Sequence, residues 1–145
     1  MIGRRAFLAA ASTLALTGPA WAAPIPVTLY KTPECSCCEG YAAYLRQHGF
    51  AVTVKATDNL ADISRKAGIP AELQGCHTAF IGDYVVDGHV PVEAIKKLLG
   101  ERPAVNGLTL PGMPEGSPGM PGKKAGPFKI LAVGGDGKSS VYLTL

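Results

Sequence analysis

Three of the four cysteines lie within four residues, at Cys35, Cys37 and Cys38, whereas Cys76 stands far along the chain. A structural disulfide framework spreads its cysteines to cross-link distant segments, and a bond between the adjacent Cys37 and Cys38 would be strained. The run also follows a β-prone segment and precedes a helical pattern. The fold must therefore place this cluster where a strand leads into a helix, and the clustering favours metal or redox chemistry.

Strand-like and helical patterns alternate around this junction. Tyr41, Tyr44, Leu45 and His48 share one face of a helix that begins near Cys38 and ends before Gly49. The Gly82-Asp83 dipeptide between two apolar runs indicates a hairpin. Strands are predicted at 27–30, 50–54, 78–81 and 84–86, and further helices at 59–66 and 92–99.

Glycine and proline dominate residues 102–127, with six of each among 26 residues, and Pro-Gly-Met-Pro occurs twice, around Met113 and Met120. We expect a long loop here. Residues 128–133 and 140–145 then predict a C-terminal β-hairpin that extends the sheet. The fold class is α/β, and its β-α-β-α-β-β-α order resembles the thioredoxin-like fold of glutaredoxins. In that resemblance Cys35 and Cys38 form the redox pair, and Gly75-Cys76-His77-Thr78 replaces the loop that carries a cis-proline.

The first 22 residues have the features of a cleaved export signal. Arg4 and Arg5 precede an apolar run, and Ala20-Trp21-Ala22 fits a cleavage site. The paired arginines favour the twin-arginine type. We therefore expect a mature domain of residues 23–145 in the periplasm, with no membrane segment after cleavage. That domain carries 12 basic and 11 acidic residues, a balance that does not suggest a nucleic-acid-binding surface.

Thiolates select soft metal ions, and the compact cysteine spacing favours copper(I) over zinc, which remains possible. The candidate ligands are Cys35, Cys37, Cys38, Cys76 and His77. Met113 and Met120 are weaker candidates, because methionine also fills gaps in cores. Three alternatives stay open: a Cys35–Cys38 disulfide, core thiols at Cys37 and Cys76, and a non-ligating His77. His48 is interpreted as a helix cap and His89 as a surface residue in a turn.

Four ordered motifs together resemble one family, the CopG-like copper-resistance proteins. They are Cys35-x-Cys37-Cys38, then Gly75-Cys76-His77-Thr78-Ala79, then Gly88-His89-Val90-Pro91, and finally 111–120 with its two Pro-Gly-Met segments. The resemblance covers nearly all of the chain from about Val27 onward. It implies a periplasmic thioredoxin-like protein in copper handling, with the cysteines and His77 as metal ligands.

Two functions follow as hypotheses. The first is a soft-metal binding protein that sequesters or delivers copper(I), working with metal ions and other copper-handling periplasmic proteins. The second is a thiol–disulfide or copper oxidoreductase that uses Cys35 as nucleophile and Cys38 as resolving thiol. A hybrid in which thiol redox state gates metal release is compatible with both.

Overall fold

The structure, a computed structural model, describes residues 22–145. The predicted export signal therefore lies outside the described residues, except for Ala22. One seven-stranded sheet organises the fold, with strand order β2-β1-β3-β4-β5-β6-β7. The strands are β1 (Ile25–Lys31), β2 (Phe50–Ala56), β3 (His77–Ile81), β4 (Tyr84–Gly88), β5 (Gly107–Leu110), β6 (Lys129–Val133) and β7 (Ser139–Thr144).

Within residues 22–145, three α-helices connect the strands: α1 (Ser36–Gln47), α2 (Leu60–Lys66) and α3 (Val92–Glu101). A short 3-10 helix at Ala71–Leu73 precedes β3. Strand β1 is parallel to β2 and antiparallel to β3, and β3 is antiparallel to β4. Strand β5 is parallel to β4. The hairpin of β6 and β7 then continues the sheet beyond β5.

Two apolar clusters form the core. The larger one joins α1 and α3 to the sheet, and Leu29, Leu45 and Ile95 are fully buried in it. The smaller one contains Ile69 and Val85. Val85 and Val86 are consecutive residues of β4 that belong to different clusters, because successive side chains of a strand point to opposite faces of the sheet. The sheet is therefore covered on both faces.

The predicted element order is present, with differences at the boundaries. Helix α1 begins at Ser36, two residues before the predicted start, and His48 is its C-cap residue. The prediction of a loop throughout 102–127 was wrong, because β5 occupies Gly107–Leu110 inside it. This strand has only four residues and is flanked by proline and glycine, so its pattern is weak; pairing with β4 and β6 and full burial stabilise it.

Among residues 22–145, no helix has the length and apolar character needed to cross a membrane.

Candidate metal centre

The cysteine run forms the start of α1. Cys35 is the N-cap residue with an extended backbone, and Cys37 and Cys38 lie in the first turn. Cys35 and Cys38 are joined by a disulfide, while Cys37 is a free thiol. Cys38 is fully buried, whereas Cys35 and Cys37 are partly exposed. The disulfide that the sequence left open as an alternative is therefore present, and its more accessible sulfur belongs to Cys35.

Cys76 brings a fourth sulfur to this helix start from the loop before β3. Its Sγ lies 3.5 Å from the Sγ of Cys38 and 3.7 Å from that of Cys37. The Sγ atoms of Cys35 and Cys37 are 3.4 Å apart. All four sulfurs lie within 4.8 Å of one another. The two distant segments thus meet in one cluster, which we call the sulfur cluster (Cys35, Cys37, Cys38 and Cys76).

Two buried histidines adjoin Cys76. The Nδ1 of His77 lies 3.4 Å from the Cys76 sulfur, and the Nε2 of His89 lies 3.1 Å from it. Both imidazoles have no exposed surface. The interpretation of His89 as a surface residue was therefore wrong. Its Asp87-Gly88-His89 segment has the composition of a turn, but Asp87 and Gly88 close strand β4 and direct His89 toward the cluster.

The two imidazoles are packed against Tyr41 of α1. The Tyr41 ring centroid lies 4.4 Å from that of His77 and 5.4 Å from that of His89. The Tyr41 hydroxyl donates a 2.8 Å hydrogen bond to the Val90 carbonyl. Within residues 22–145, the Nε2 of His77 is the one buried side-chain polar atom that has no hydrogen-bond partner. A buried polar atom without a partner is costly, and the nitrogen of His77 that faces Cys76 is the other one, Nδ1.

The loop that carries Cys76 is held by Asp87, whose side chain is buried in β4. Its carboxylate accepts hydrogen bonds from the Gly75 backbone N–H and from the Thr78 hydroxyl, the latter at 2.7 Å. A Cβ at Gly75 would lie 2.8 Å from the Cα of Gly88. Only glycine permits this close approach of the two backbones, which places Cys76 beside the helix start.

The other side of the cysteine loop is held by a buried lysine. The Nζ of Lys31 donates to the carbonyl oxygens of Thr32, Pro33 and Cys35 at 3.0–3.3 Å. It also lies 3.3 Å from a carboxylate oxygen of Glu39. These contacts satisfy backbone acceptors in the turn between β1 and α1.

The Gly/Pro-rich loop reaches the same site through Pro118 and Gly119. The Pro118 carbonyl oxygen lies 2.6 Å from the Nδ1 of His89, which therefore donates to it. Gly119 packs so closely that a Cβ would lie 2.5 Å from the Tyr41 backbone nitrogen. Met120 follows directly in the chain and is partly buried, whereas Met113 is 43% exposed. The loop is thus pressed against the start of α1.

Burial determines the protonation of this site. Desolvation, followed by the electrostatic effect of the neighbouring Cys37 sulfur, raises the pKa of the Cys76 thiol to about 12. Desolvation and the nearby His89 lower the pKa of His77 to about 3, and desolvation also lowers the pKa of His89. The metal-free site therefore holds a neutral thiol and neutral imidazoles at pH 7, and a neutral imidazole nitrogen is the form that binds metals.

In the part of the chain that the structure describes, two groups of side chains have the geometry to hold a metal ion. One is the sulfur cluster, and the other consists of Cys76, His77 and His89, with ligand atoms also within 4.8 Å of one another. Cys76 belongs to both groups. Sulfur and imidazole donors without carboxylates suit soft or borderline ions rather than magnesium or calcium.

Comparison with known proteins identifies the family. Two solved structures, copper resistance protein CopG in Form 1 and in Form 2, each share 32% sequence identity with this chain. Each superposes with a TM-score of 0.78 over 84% of this chain and 98% of the other. This chain belongs to the CopG family of copper-resistance proteins. The predicted family resemblance is confirmed.

A family model described as "Protein of unknown function, DUF411" matches residues 73–120. That range contains Cys76, both buried histidines and both methionines of the Gly/Pro-rich loop, but not the cysteines of α1. No curated protein matches the sequence. In this CopG family member, the matched range therefore contributes Cys76 and the two buried histidines to the site, and the start of α1 contributes the other three cysteines.

Proposed function

We propose that this protein handles copper(I), which it binds as cargo through the thiolates of the sulfur cluster. The observation that carries the proposal is the meeting of four sulfur ligand atoms within 4.8 Å of one another. Thiolates prefer soft ions, and vicinal sulfurs suit the bridging of more than one copper(I) ion. The similarity to copper resistance protein CopG favours copper. Zinc is the other metal that suits these donors.

His77 and His89 are proposed as additional ligands or as hydrogen-bond partners of the thiolates. His89 donates from Nδ1 to Pro118, so its Nε2 carries the lone pair that faces Cys76. Fixing the tautomer from the far side of the ring is how protein groups commonly orient a metal-binding histidine. Met113 and Met120 are proposed as weaker thioether donors, and Met120 lies next to the residue that packs on α1.

Copper(I) binding at full capacity requires the Cys35–Cys38 disulfide to be opened. A dithiol reductant breaks this bond, two electrons and two protons convert it to two thiols, and the reductant becomes a disulfide. With the bond closed, Cys37 and Cys76 are the cysteines that remain free in the site. Thiol redox state therefore gates how much metal the protein can hold.

We also propose a thioredoxin-like core and a periplasmic location. The arrangement of β1 to β4, with α1 starting at a Cys-x-x-Cys pair, supports the first proposal. The arginine-led, apolar segment of residues 1–22 supports the second. In that compartment, other copper-handling proteins are the expected partners. Recovery of a periplasmic chain that begins at Ala23 would test the export proposal, and an uncleaved cytoplasmic chain would contradict it.

A second candidate function is a thiol–disulfide or copper oxidoreductase. The observation that favours it is the Cys35–Cys38 disulfide at a helix start, with a partly exposed first sulfur and a buried second one. This asymmetry suits an attacking Cys35 and a resolving Cys38. Disulfide reductase activity that persists in a Cys37→Ser variant without bound metal would favour this function.

Copper(I) titration against a chromogenic chelator, in the presence of reductant, tests the principal proposal. We expect wild-type protein to bind copper(I) tightly, and Cys76→Ser to weaken binding by about 100-fold because it removes the sulfur shared by both donor groups. Ser36→Ala, a change at an exposed position within the same run, is the matched control and should bind as wild type does. Equal affinity in Cys76→Ser and wild type would refute the proposal.

A further inference from the structure

We propose that Cys37 and Cys76 form a second redox pair, which closes to a disulfide beside the Cys35–Cys38 bond. The two residues are the free cysteines of the cluster, and their sulfurs are 3.7 Å apart. A disulfide has a sulfur–sulfur distance of about 2.05 Å. The two sulfurs must therefore move toward each other by less than about 2 Å to form the bond. This pairing is independent of metal binding and goes beyond the function proposed above.

Competing partners are already occupied. Cys35 and Cys38, whose sulfurs also lie near the two thiols, are bonded to each other. When the protein is oxidised in this state, the nearest free thiol to Cys37 is therefore that of Cys76. Both are partly exposed, so a small oxidant in solution can reach them.

The structure presents Cys76 toward its partner from a fixed loop. The hydrogen bond from the Gly75 N–H to Asp87 and the contact of Gly75 with Gly88 hold the backbone in place. Because His89 donates from Nδ1 to Pro118, its Nε2 accepts the S–H hydrogen of Cys76.

The Cys37–Cys76 sulfur–sulfur bond forms and both S–H bonds break. Two protons and two electrons leave the two thiols. Two copper(II) ions can take one electron each and become copper(I), and the two protons then go to solvent. Without metal, a diazene oxidant such as diamide takes both electrons and both protons and becomes a hydrazine.

Closure has two consequences. It ties the start of α1 to the loop before β3, two segments separated by 39 residues. It also converts the last free thiols of the cluster into a disulfide that cannot act as a thiolate ligand. If copper(I) is the cargo, a consequence that rests on the proposed function, complete oxidation would release it.

Diamide oxidation of the purified, metal-free protein tests the pair directly. In wild type with the Cys35–Cys38 bond intact, we expect free thiols to fall from two per chain to none, with the loss of two hydrogens in the intact mass and no dimer. Peptide mapping should then show a Cys37–Cys76 link. Cys37→Ser and Cys76→Ser should each keep one free thiol. Two thiols that persist in wild type, or a bond between chains, would overturn the inference.

A further measurement tests the copper step. Fully reduced wild type should convert about four copper(II) ions per chain to copper(I), and Cys37→Ser about two, because it lacks the second pair. A yield of two in wild type would overturn the inference.

The second redox pair and the proposed copper(I) binding can be refuted independently of each other. Tight copper(I) binding without closure refutes the second redox pair alone. Closure without copper(I) binding refutes the proposed metal handling alone.

Discussion

Replacing His77 with glutamine is expected to make the metal-free protein less sensitive to mild acid. The imidazole is fully buried, and burial together with His89 lowers its pKa from 6.5 to about 3. In the unfolded chain the same group titrates near 6.5. Below pH 6.5 the unfolded state therefore binds a proton that the folded state does not bind. The contribution of His77 to stability is present above pH 6.5 and is lost as the pH falls toward 3.

The size of the effect follows from this difference. Each pH unit below 6.5 removes about 1.4 kcal/mol from the free energy of unfolding. Between pH 7 and pH 5 the loss due to His77 is therefore about 2 kcal/mol. Urea unfolding followed by circular dichroism, at both pH values and with a chelator present, measures it. His77→Gln, which cannot take up this proton, should lose about 2 kcal/mol less than wild type over the same interval.

Comparison of the two proteins isolates His77 from its neighbours. Burial raises the pKa of Asp87 to about 6. The effect of Asp87 on the free energy of unfolding has the opposite sign to that of His77, because the folded state takes up the Asp87 proton at a higher pH than the unfolded state does. That contribution is present in both proteins and cancels in the difference. His77→Phe provides a second non-ionising side chain with a different shape. If wild type and both variants lose equal stability between pH 7 and pH 5, the reasoning from burial is wrong.

Three other substitutions test contacts around the site. Gly119→Ala should destabilise the protein by about 1–3 kcal/mol more than Gly112→Ala in thermal unfolding. Both glycines have φ near +80°, but only a Cβ at residue 119 would lie against backbone atoms. Equal effects of the two substitutions would contradict the close packing. Tyr41→Phe should cost about 1–3 kcal/mol in urea unfolding, because it leaves the Val90 carbonyl without its 2.8 Å donor; no loss would contradict this bond. Asp87→Asn should lose the stabilisation that wild type gains as the pH falls from above 6 toward 3.8. Urea unfolding at pH 7 and pH 5 measures this gain. The same change in both proteins would contradict the raised pKa.

Local patterns were sufficient to predict most of the fold. The face shared by Tyr41 and Leu45 predicted α1, and both residues are buried in the core. The Gly82-Asp83 joint predicted the β3–β4 hairpin, which the pairing of Ile81 with Tyr84 confirms. Strand β5 could not be predicted in this way, because its four residues acquire their stability from neighbouring strands that are distant in sequence.

The site was predicted in part. Clustering of three cysteines identified one wall, and the Cys76-His77 dipeptide identified the other. His89 was missed, although the hairpin contained the information. A two-residue turn fixes the register, so that Thr78 pairs with Asp87. Continuing this register by two residues places Cys76 opposite His89. The approach of Pro118 could not be predicted, since a Gly/Pro-rich loop has no periodicity from which to infer where it packs.

Cys76 links the properties of this centre. It is the sulfur that both groups of potential ligands share, and it is also one half of the second redox pair. Burial and the neighbouring Cys37 raise its pKa to about 12, so the metal-free site holds a thiol rather than a thiolate. An ion that binds there must displace this proton, and only a metal with strong affinity for sulfur compensates for that cost. The raised pKa of the thiol and the lack of oxygen ligands therefore both disfavour weakly thiophilic ions.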